Sequence, residues 1–128
     1  MGQPAAKQGD QIVATDMHLT QAPPAPPVLV PHPFTGVLDG SLSPDVNIMG
    51  RPAATQGSTA TNTPAHTPIG GSFVKPPANK ATVQKGSLTV NINGKPAARS
   101  GDVALTCNDP ADLPIGTVVA TSTVFIGG

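Results

Sequence analysis

Pro-Ala-Ala occurs three times in this chain, in "MGQPAAKQGD" (Met1 to Asp10), "VNIMGRPAATQGS" (Val46 to Ser58) and "VNINGKPAARSGD" (Val90 to Asp102). Each copy is followed by a glycine three residues past its second alanine: Gly9, Gly57 and Gly101. Glycine supplies the positive φ that tight turns need. The repeat extends beyond the turn. "GSLSPDVNIMGRPAATQG" (Gly40 to Gly57) matches "GSLTVNINGKPAARSG" (Gly86 to Gly101) with two residues deleted. "NTPAHTPIG" (Asn62 to Gly70) matches "NDPADLPIG" (Asn108 to Gly116), and "PHPFTG" (Pro31 to Gly36) can be laid on "AHTPIG" (Ala65 to Gly70). The first copy lacks a strand before its Pro-Ala-Ala, because the sequence starts there. The last residues, "TSTVFIGG", resemble the "VNIMG" and "VNING" that precede the other two motifs. The final strand can therefore complete the first repeat, and three repeats closed in this way imply pseudo-threefold symmetry in a single chain.

At 128 residues the chain fits one domain, spanning 1–128, with a modest core. Its 14 Gly and 16 Pro approach the level at which disorder competes with folding. Disordered chains, however, are poor in β-branched residues and rich in net charge. This one is rich in Val, Ile and Thr and has a formal net charge of zero. An ordered, turn-rich β domain follows. Helix signals are scarce, since Pro interrupts nearly every stretch. "SLTVNIN" (Ser87 to Asn93) alternates as a strand should, and "VNIM" (Val46 to Met49) repeats part of it. "TVVATSTVFI" (Thr117 to Ile126) reads as one long strand or two short ones. "QIVAT" (Gln11 to Thr15) and "VALT" (Val103 to Thr106) are further short strands. "APPAPPVLVP" (22–31) is a Pro-rich insert, read as a stiff polyproline II loop.

Several function classes fall away on composition. There is no basic field and there are only three aromatic residues, all Phe, which argues against nucleic-acid binding. No apolar run approaches the roughly 20 residues of a membrane helix, so stable membrane insertion is not expected. The N-terminus lacks the basic-then-apolar pattern of a signal peptide, so synthesis in the cytoplasm, with any export by another route, is expected. A single cysteine, Cys107, excludes an internal disulfide.

Three histidines and that cysteine, His18, His32, His66 and Cys107, make up a Cys-His₃ set suited to a tetrahedral structural zinc. Their spacing is not that of a zinc finger. The repeat alignment puts His32, His66 and Asp112 at equivalent positions, with His18 and Cys107 just after the short strands that follow two of the turns. In a threefold object such positions converge near the axis. The alternative stays open on spacing alone: surface or hydrogen-bonded histidines and a cysteine that is a small buried hydrophobe.

These elements together resemble the PAAR-repeat family: "RPAATQG", "KPAARSGD" and "QPAAKQGD", the "VNING" before the motif, and the terminal "VFIGG". Only Pro96 to Arg99 spells the eponymous motif in full. The resemblance implies an all-β fold, a small cone of short strands with pseudo-threefold symmetry whose N- and C-terminal strands close the ring. It implies a structural tip protein for a contractile injection system. Its broad base would sit on a trimeric β-helical spike of the VgrG or phage tail-spike type, one copy per trimer. Its sharp end would point outward to pierce a target envelope, with effector cargo as a further partner. It also implies a structural zinc ion held by His18, His32, His66 and Cys107. Delivery with the spike would carry the protein out of the cytoplasm. The length leaves no room for a fused toxin.

Ile48, Met49, Ile92 and Phe125, near strand ends, are placed in the core or at the base, where they are the candidate spike contacts. A zinc hydrolase is the enzymatic alternative, but the sequence has no Glu to act as general base, and Cys107 would close the site. Asp16 and Asp112, near the expected ligands, fit better as their hydrogen-bond partners. A free-standing binding module, docking through "APPAPP", is the third reading.

Overall fold

The computed structural model describes residues 2–127. Thirteen strands and no helix form among them. They are β1 (Gln3–Pro4), β2 (Gln11–Gln21), β3 (Val28–Gly40), β4 (Asn47–Ile48), β5 (Arg51–Pro52), β6 (Thr59–Asn62) and β7 (Ser72–Phe73). They continue with β8 (Lys80–Val83), β9 (Asn91–Ile92), β10 (Lys95–Pro96), β11 (Val103–Thr106), β12 (Leu113–Val119) and β13 (Phe125–Ile126).

The Pro-Ala-Ala turns build the base. In two repeats a two-residue turn joins a short hairpin, β4–β5 through Met49-Gly50 and β9–β10 through Asn93-Gly94. Both residues of each turn have positive φ, 53° and 79° in the first and 53° and 77° in the second. That is the geometry whose twist matches the flanking strands. The first repeat has no such turn. There β1 pairs with β13 from the far end of the chain, Gln3 opposite Ile126 and Pro4 opposite Phe125. The register repeats that of Arg51 with Ile48 and Lys95 with Ile92, so the last strand does complete the first repeat.

The second alanines then tie the three repeats together. Ala6 N–H donates to Ala98 O, Ala98 N–H to Ala54 O, and Ala54 N–H to Ala6 O, each at 3.0 Å. This closed triangle explains why the position is alanine. All three side chains are fully buried, and three backbones could not approach so closely around anything larger. One layer away, Ala5, Ala53 and Ala97 pack with Ile48, Ile92 and Ile126. Gly9, Gly57 and Gly101, at φ near 92°, turn each chain segment away from the base, and their N–H groups donate to Leu38, Val83 and Val118.

Above the base, three hairpins (β2–β3, β6–β8 and β11–β12) close into a six-stranded barrel, with β12 pairing back onto β2. Such closure removes sheet edges. Alternation places Ile12, Leu38, Ala60, Ala81, Val83, Ala104 and Val118 inside. The β2–β3 hairpin is much longer than the others, and β7 pairs with the far end of β2, at Thr20 and Gln21.

Four expectations need correction. Ser87–Asn93 is not one strand: only Asn91–Ile92 pairs, and Leu88 is 90% exposed. Ser87 Oγ instead caps a turn by accepting from Thr89 and Val90 N–H. The Pro-rich insert is not a polyproline II loop. Val28–Pro31 belongs to β3, and Ala25 N–H donates to Ala22 O across a tight turn, whereas polyproline II has no internal hydrogen bonds. His66 and Gly70 are not equivalent to His32 and Gly36. Opposite Ile12, Ala60 and Ala104 stand Gly36, Ala81 and Gly116, so the second repeat rejoins the barrel later than its sequence match suggests. Lastly, Ile48 and Ile92 are core residues, 5% and 9% exposed, and do not present a contact surface; Met49 and Phe125 are 55% and 61% exposed.

Candidate metal centre

Past the barrel core, the strand periodicity of β2 continues to decide what faces inward. Ile12, Asp16, His18 and Thr20 point in, while Thr15, Met17 and Leu19 point out. Two polar, chemically capable side chains are thereby forced into a buried space, where they need partners. β3 adds His32, opposite Asp16. Cys107 follows β11, and His66 lies in the long connection after β6. That connection is pinned by Asn79, whose Oδ1 accepts from His66 N–H at 2.8 Å.

Three of the four sequence-derived candidates, His18, His66 and Cys107, converge here with their ligand atoms within 4.8 Å of one another, while His32 packs its ring against those of His18 and His66 but lies outside that group. His18 and His32 are 1% exposed and Cys107 is 3% exposed. Their three imidazoles form a triangle with centroids 5.0, 5.6 and 5.7 Å apart. Imidazoles bound tetrahedrally to one zinc at about 2.0–2.1 Å would have centroids roughly 5.2 Å apart. Phe73 packs against the rings of His18 and His32, and Phe34 against that of His66.

Asp16 joins this set. Ligand atoms of Asp16, His18, His66 and Cys107 all lie within 4.8 Å of one another, a group that could hold a metal ion. Asp16 Oδ2 is 2.9 Å from His66 Nε2 and 3.4 Å from Cys107 Sγ, and Cys107 Sγ is 3.7 Å from His18 Nε2. Ligands of a tetrahedral zinc stand roughly 3.3–3.8 Å apart; the two separations to Cys107 Sγ fall in that range, whereas the 2.9 Å between Asp16 and His66 is a hydrogen-bond distance. The alternating pattern of "TDMHL" was the available signal that Asp16 would share a face with His18.

Hydrogen bonds fix how the rings present themselves. His32 Nδ1 is 2.8 Å from the Val30 carbonyl, which can only accept, so Nδ1 carries the proton. His32 Nε2 is left as a lone pair, buried and without a hydrogen-bond partner. An orphaned buried acceptor carries a desolvation penalty that a cation relieves. His18 Nδ1 is likewise buried without a hydrogen-bond partner; it faces Asp109 Oδ2 at 3.5 Å, with Nε2 towards Cys107. Asp109 is itself held by Leu19 N–H at 2.8 Å. Asp112 lines a small cavity with His18, Cys107 and Asp109.

Burial, reinforced by His66, pushes the His18 pKa down, which keeps the ring neutral and able to donate a lone pair. Burial and the neighbouring Asp16 push the Cys107 thiol up to about 11. A bound cation would reverse that, since coordination favours the thiolate. The donor set thus fits a metal ion.

Comparison with known proteins agrees with this architecture. No curated protein matches the chain. The family model described as the PAAR motif matches residues 29–110, covering the second and third Pro-Ala-Ala turns and three of the four histidine and cysteine candidates. The first turn and His18 lie outside that match, and the structure supplies them as the third member of the base triangle and the remaining ring of the histidine triangle. With well over half of its residues matched, the chain belongs to the PAAR-motif family.

Proposed function

We propose that this protein is the tip of the spike of a contractile injection system, seated by its base on the blunt end of a trimeric β-helical spike protein. The observation that carries this is the closed triangle of Ala6, Ala54 and Ala98. It gives one chain a threefold-related end face, the geometry needed to cover three strand ends at once. Exposed strand ends invite unwanted pairing unless covered. Around that face Met49, Leu88, Val124 and Phe125 are exposed apolar side chains, from 41% to 90% accessible, suited to burial against a partner.

The opposite end is too narrow for a large apolar core, and a metal ion would staple it. Zinc held by His18, His32, His66 and Cys107, with Asp16 beside them, is the proposed cofactor. Three neutral imidazoles and a thiolate leave no open position for substrate, so the role is structural and the protein is not an enzyme. Synthesis in the cytoplasm, delivery outward with the spike, piercing of an envelope and carriage of effector cargo follow from the same reading.

The test is co-purification with a trimeric spike protein from a contractile system, followed by cryo-electron microscopy. One copy per trimer, contacted through Met49, Leu88 and Phe125, is expected. A protein that stays monomeric beside the spike at micromolar concentration, with its metal intact, sinks the proposal.

A further inference from the structure

Two cavities reach the buried histidine and cysteine cluster from outside, and their chemistry differs. One, of about 220 Å³, touches the cluster at His66 and is lined otherwise by proline, threonine, asparagine and alanine, with no charged side chain. The other, of about 60 Å³, opens on His18 and Cys107, and its walls include the segment 75–78 and the carboxylates of Asp109 and Asp112. A single water needs about 10–15 Å³ of such space, so the smaller cavity has room for several.

Donors line the smaller cavity at graded depth. Asp112 is exposed, Asp109 is 6% exposed, and His18 and Cys107 are 1% and 3% exposed. His18 Nδ1 is a buried ring nitrogen without a hydrogen-bond partner, 3.5 Å from Asp109 Oδ2. That carboxylate is fixed in place by accepting from Leu19 N–H at 2.8 Å. Lys75 and Asp112 are both exposed on the same cavity, yet neither forms an ion pair among the described residues, so no salt bridge shuts it. Asp112 also stands in "NDPAD" where the locally equivalent "NTPAH" has His66, one of the cluster's own rings.

We propose that this cavity is the route by which a divalent cation enters and leaves the buried site, with Asp112 and Asp109 as its relay and Lys75 as its brake. The inference rests on the zinc reading given above. Stripping water from an ion without replacing it carries a large penalty. Carboxylate oxygens replace those waters in two steps, Asp112 where solvent still reaches and Asp109 where it does not, next to His18 and Cys107. The larger cavity offers a dication only neutral oxygens and apolar ring walls, with no charge to compensate its own. The Lys75 ammonium, on the wall of the smaller cavity, repels a dication there and so slows its passage.

The test is the rate at which zinc leaves the loaded, full-length protein into excess chelator, together with the dissociation constant from competition. A residue on the route alters entry and exit alike and leaves affinity unchanged, whereas a residue that holds the ion alters affinity. Asp112→Asn, and Ala78→Phe on the cavity wall, are expected to slow release several-fold with the dissociation constant at its unmodified value. Lys75→Met should speed release, and Thr63→Phe, in the larger cavity, should leave it unchanged. All these positions are exposed, and a retained melting temperature confirms that the variants fold. Release that ignores both Asp112→Asn and Ala78→Phe, or that Thr63→Phe slows as much, overturns the route. So does faster release with weaker binding in Asp112→Asn, which would make that carboxylate a holder of the ion. Protein that binds no zinc removes the metal reading and the route with it, while loaded protein with insensitive rates removes the route alone.

Discussion

Asp16 Oδ2 lies 2.9 Å from His66 Nε2, deep in a space where Asp16 is fully buried and also accepts from Thr106 Oγ1 at 2.6 Å. Five donors thus surround a site that a tetrahedral ion fills with four. His32 brings an orphaned lone pair, and Asp16 a carboxylate with satisfied neighbours. If the ion takes the three histidines and Cys107, Asp16 orients His66 and compensates charge. Asp16→Asn is then expected to weaken zinc by roughly 10- to 100-fold, the usual effect of losing a group that holds a ligand. His32→Ala should cost more than that. Competition against a chromogenic chelator measures both. The reverse order would place Asp16 in the coordination sphere and His32 outside it.

Removing the ion should lower the melting temperature sharply. A ligand present at 100 times its dissociation constant adds about 2.7 kcal/mol to folding. For a domain of this size that corresponds to a shift on the order of 10 °C. Chelator-treated protein, and Cys107→Ala without chelator, should melt together well below the loaded protein. Cys107 sits in the barrel core as well as at the site, so Cys107→Ser under chelator separates packing from coordination. A chelated protein that melts like the loaded one would remove the staple.

The base was legible in the sequence for a plain reason. Ala6, Ala54 and Ala98 meet at a contact that tolerates nothing larger, so the motif survives unchanged in all three repeats. The exchange of Phe125–Ile126 into the first repeat was legible because the terminal "TSTVFIGG" resembles the "VNIMG" and "VNING" that precede the other two motifs, and β13 indeed pairs with β1 in their register. The far end was misread because turn chemistry repeats where barrel position does not. Asn62 Oδ1 accepts from Thr35 N–H and Asn108 Oδ1 from Met17 N–H, so "NTP" and "NDP" are true local equivalents. After them the second repeat runs on through β7 before reaching β8, and His66 leaves the repeat pattern. Asp16 was read as a neighbour of the ligands because sequence spacing gives its face and not its distance. The Pro-rich stretch was misread because composition does not reveal that Pro31 and Pro33 lie on an uncovered strand edge, where a missing N–H has no cost.

Zinc binding should release a proton near neutral pH. The Cys107 thiol, held up to about 11, is protonated there, while the depressed His18 is already neutral. Coordination needs the thiolate. Titration of zinc into weakly buffered protein at pH 7.5 should liberate about one proton per ion, and Cys107→Ala should liberate none. Without metal, the same shifts set the pH limits. His18 has a lowered folded pKa, so its contribution is present above 6.5 and is lost as pH falls below it. Cys107 has a raised one, so its contribution is present below 9.0 and is lost as pH rises towards 11. Chelated protein should therefore be most stable between those limits in a pH series of thermal melts. A maximum outside them would show that other groups dominate.

The pseudo-symmetry itself makes a quantitative prediction. Ile48, Ile92 and Ile126 occupy one layer of the base, 5%, 9% and 6% exposed, each opposite the residue before its proline. Truncating a buried isoleucine to alanine costs about 2–5 kcal/mol, according to how well the site can collapse. Three sites with the same neighbours should collapse alike, so Ile48→Ala and Ile92→Ala are expected to agree within about 0.5 kcal/mol. Ile126→Ala should cost less. Its strand is not joined to its partner by a turn, and a two-residue strand near a chain end is freer to fray. Truncation there lets β13 detach, and the layer relaxes around the gap. Urea denaturation of the three variants measures the order. Equal costs at all three would mean that β13 is held as firmly as a covalent hairpin, by contacts such as Ser87 Oγ donating to Gly127 O at 2.6 Å and Arg99 Nη1 donating to the same oxygen at 3.2 Å. In that case Ser87→Ala combined with Ile126→Ala should restore the difference, because it removes the clamp without touching the layer.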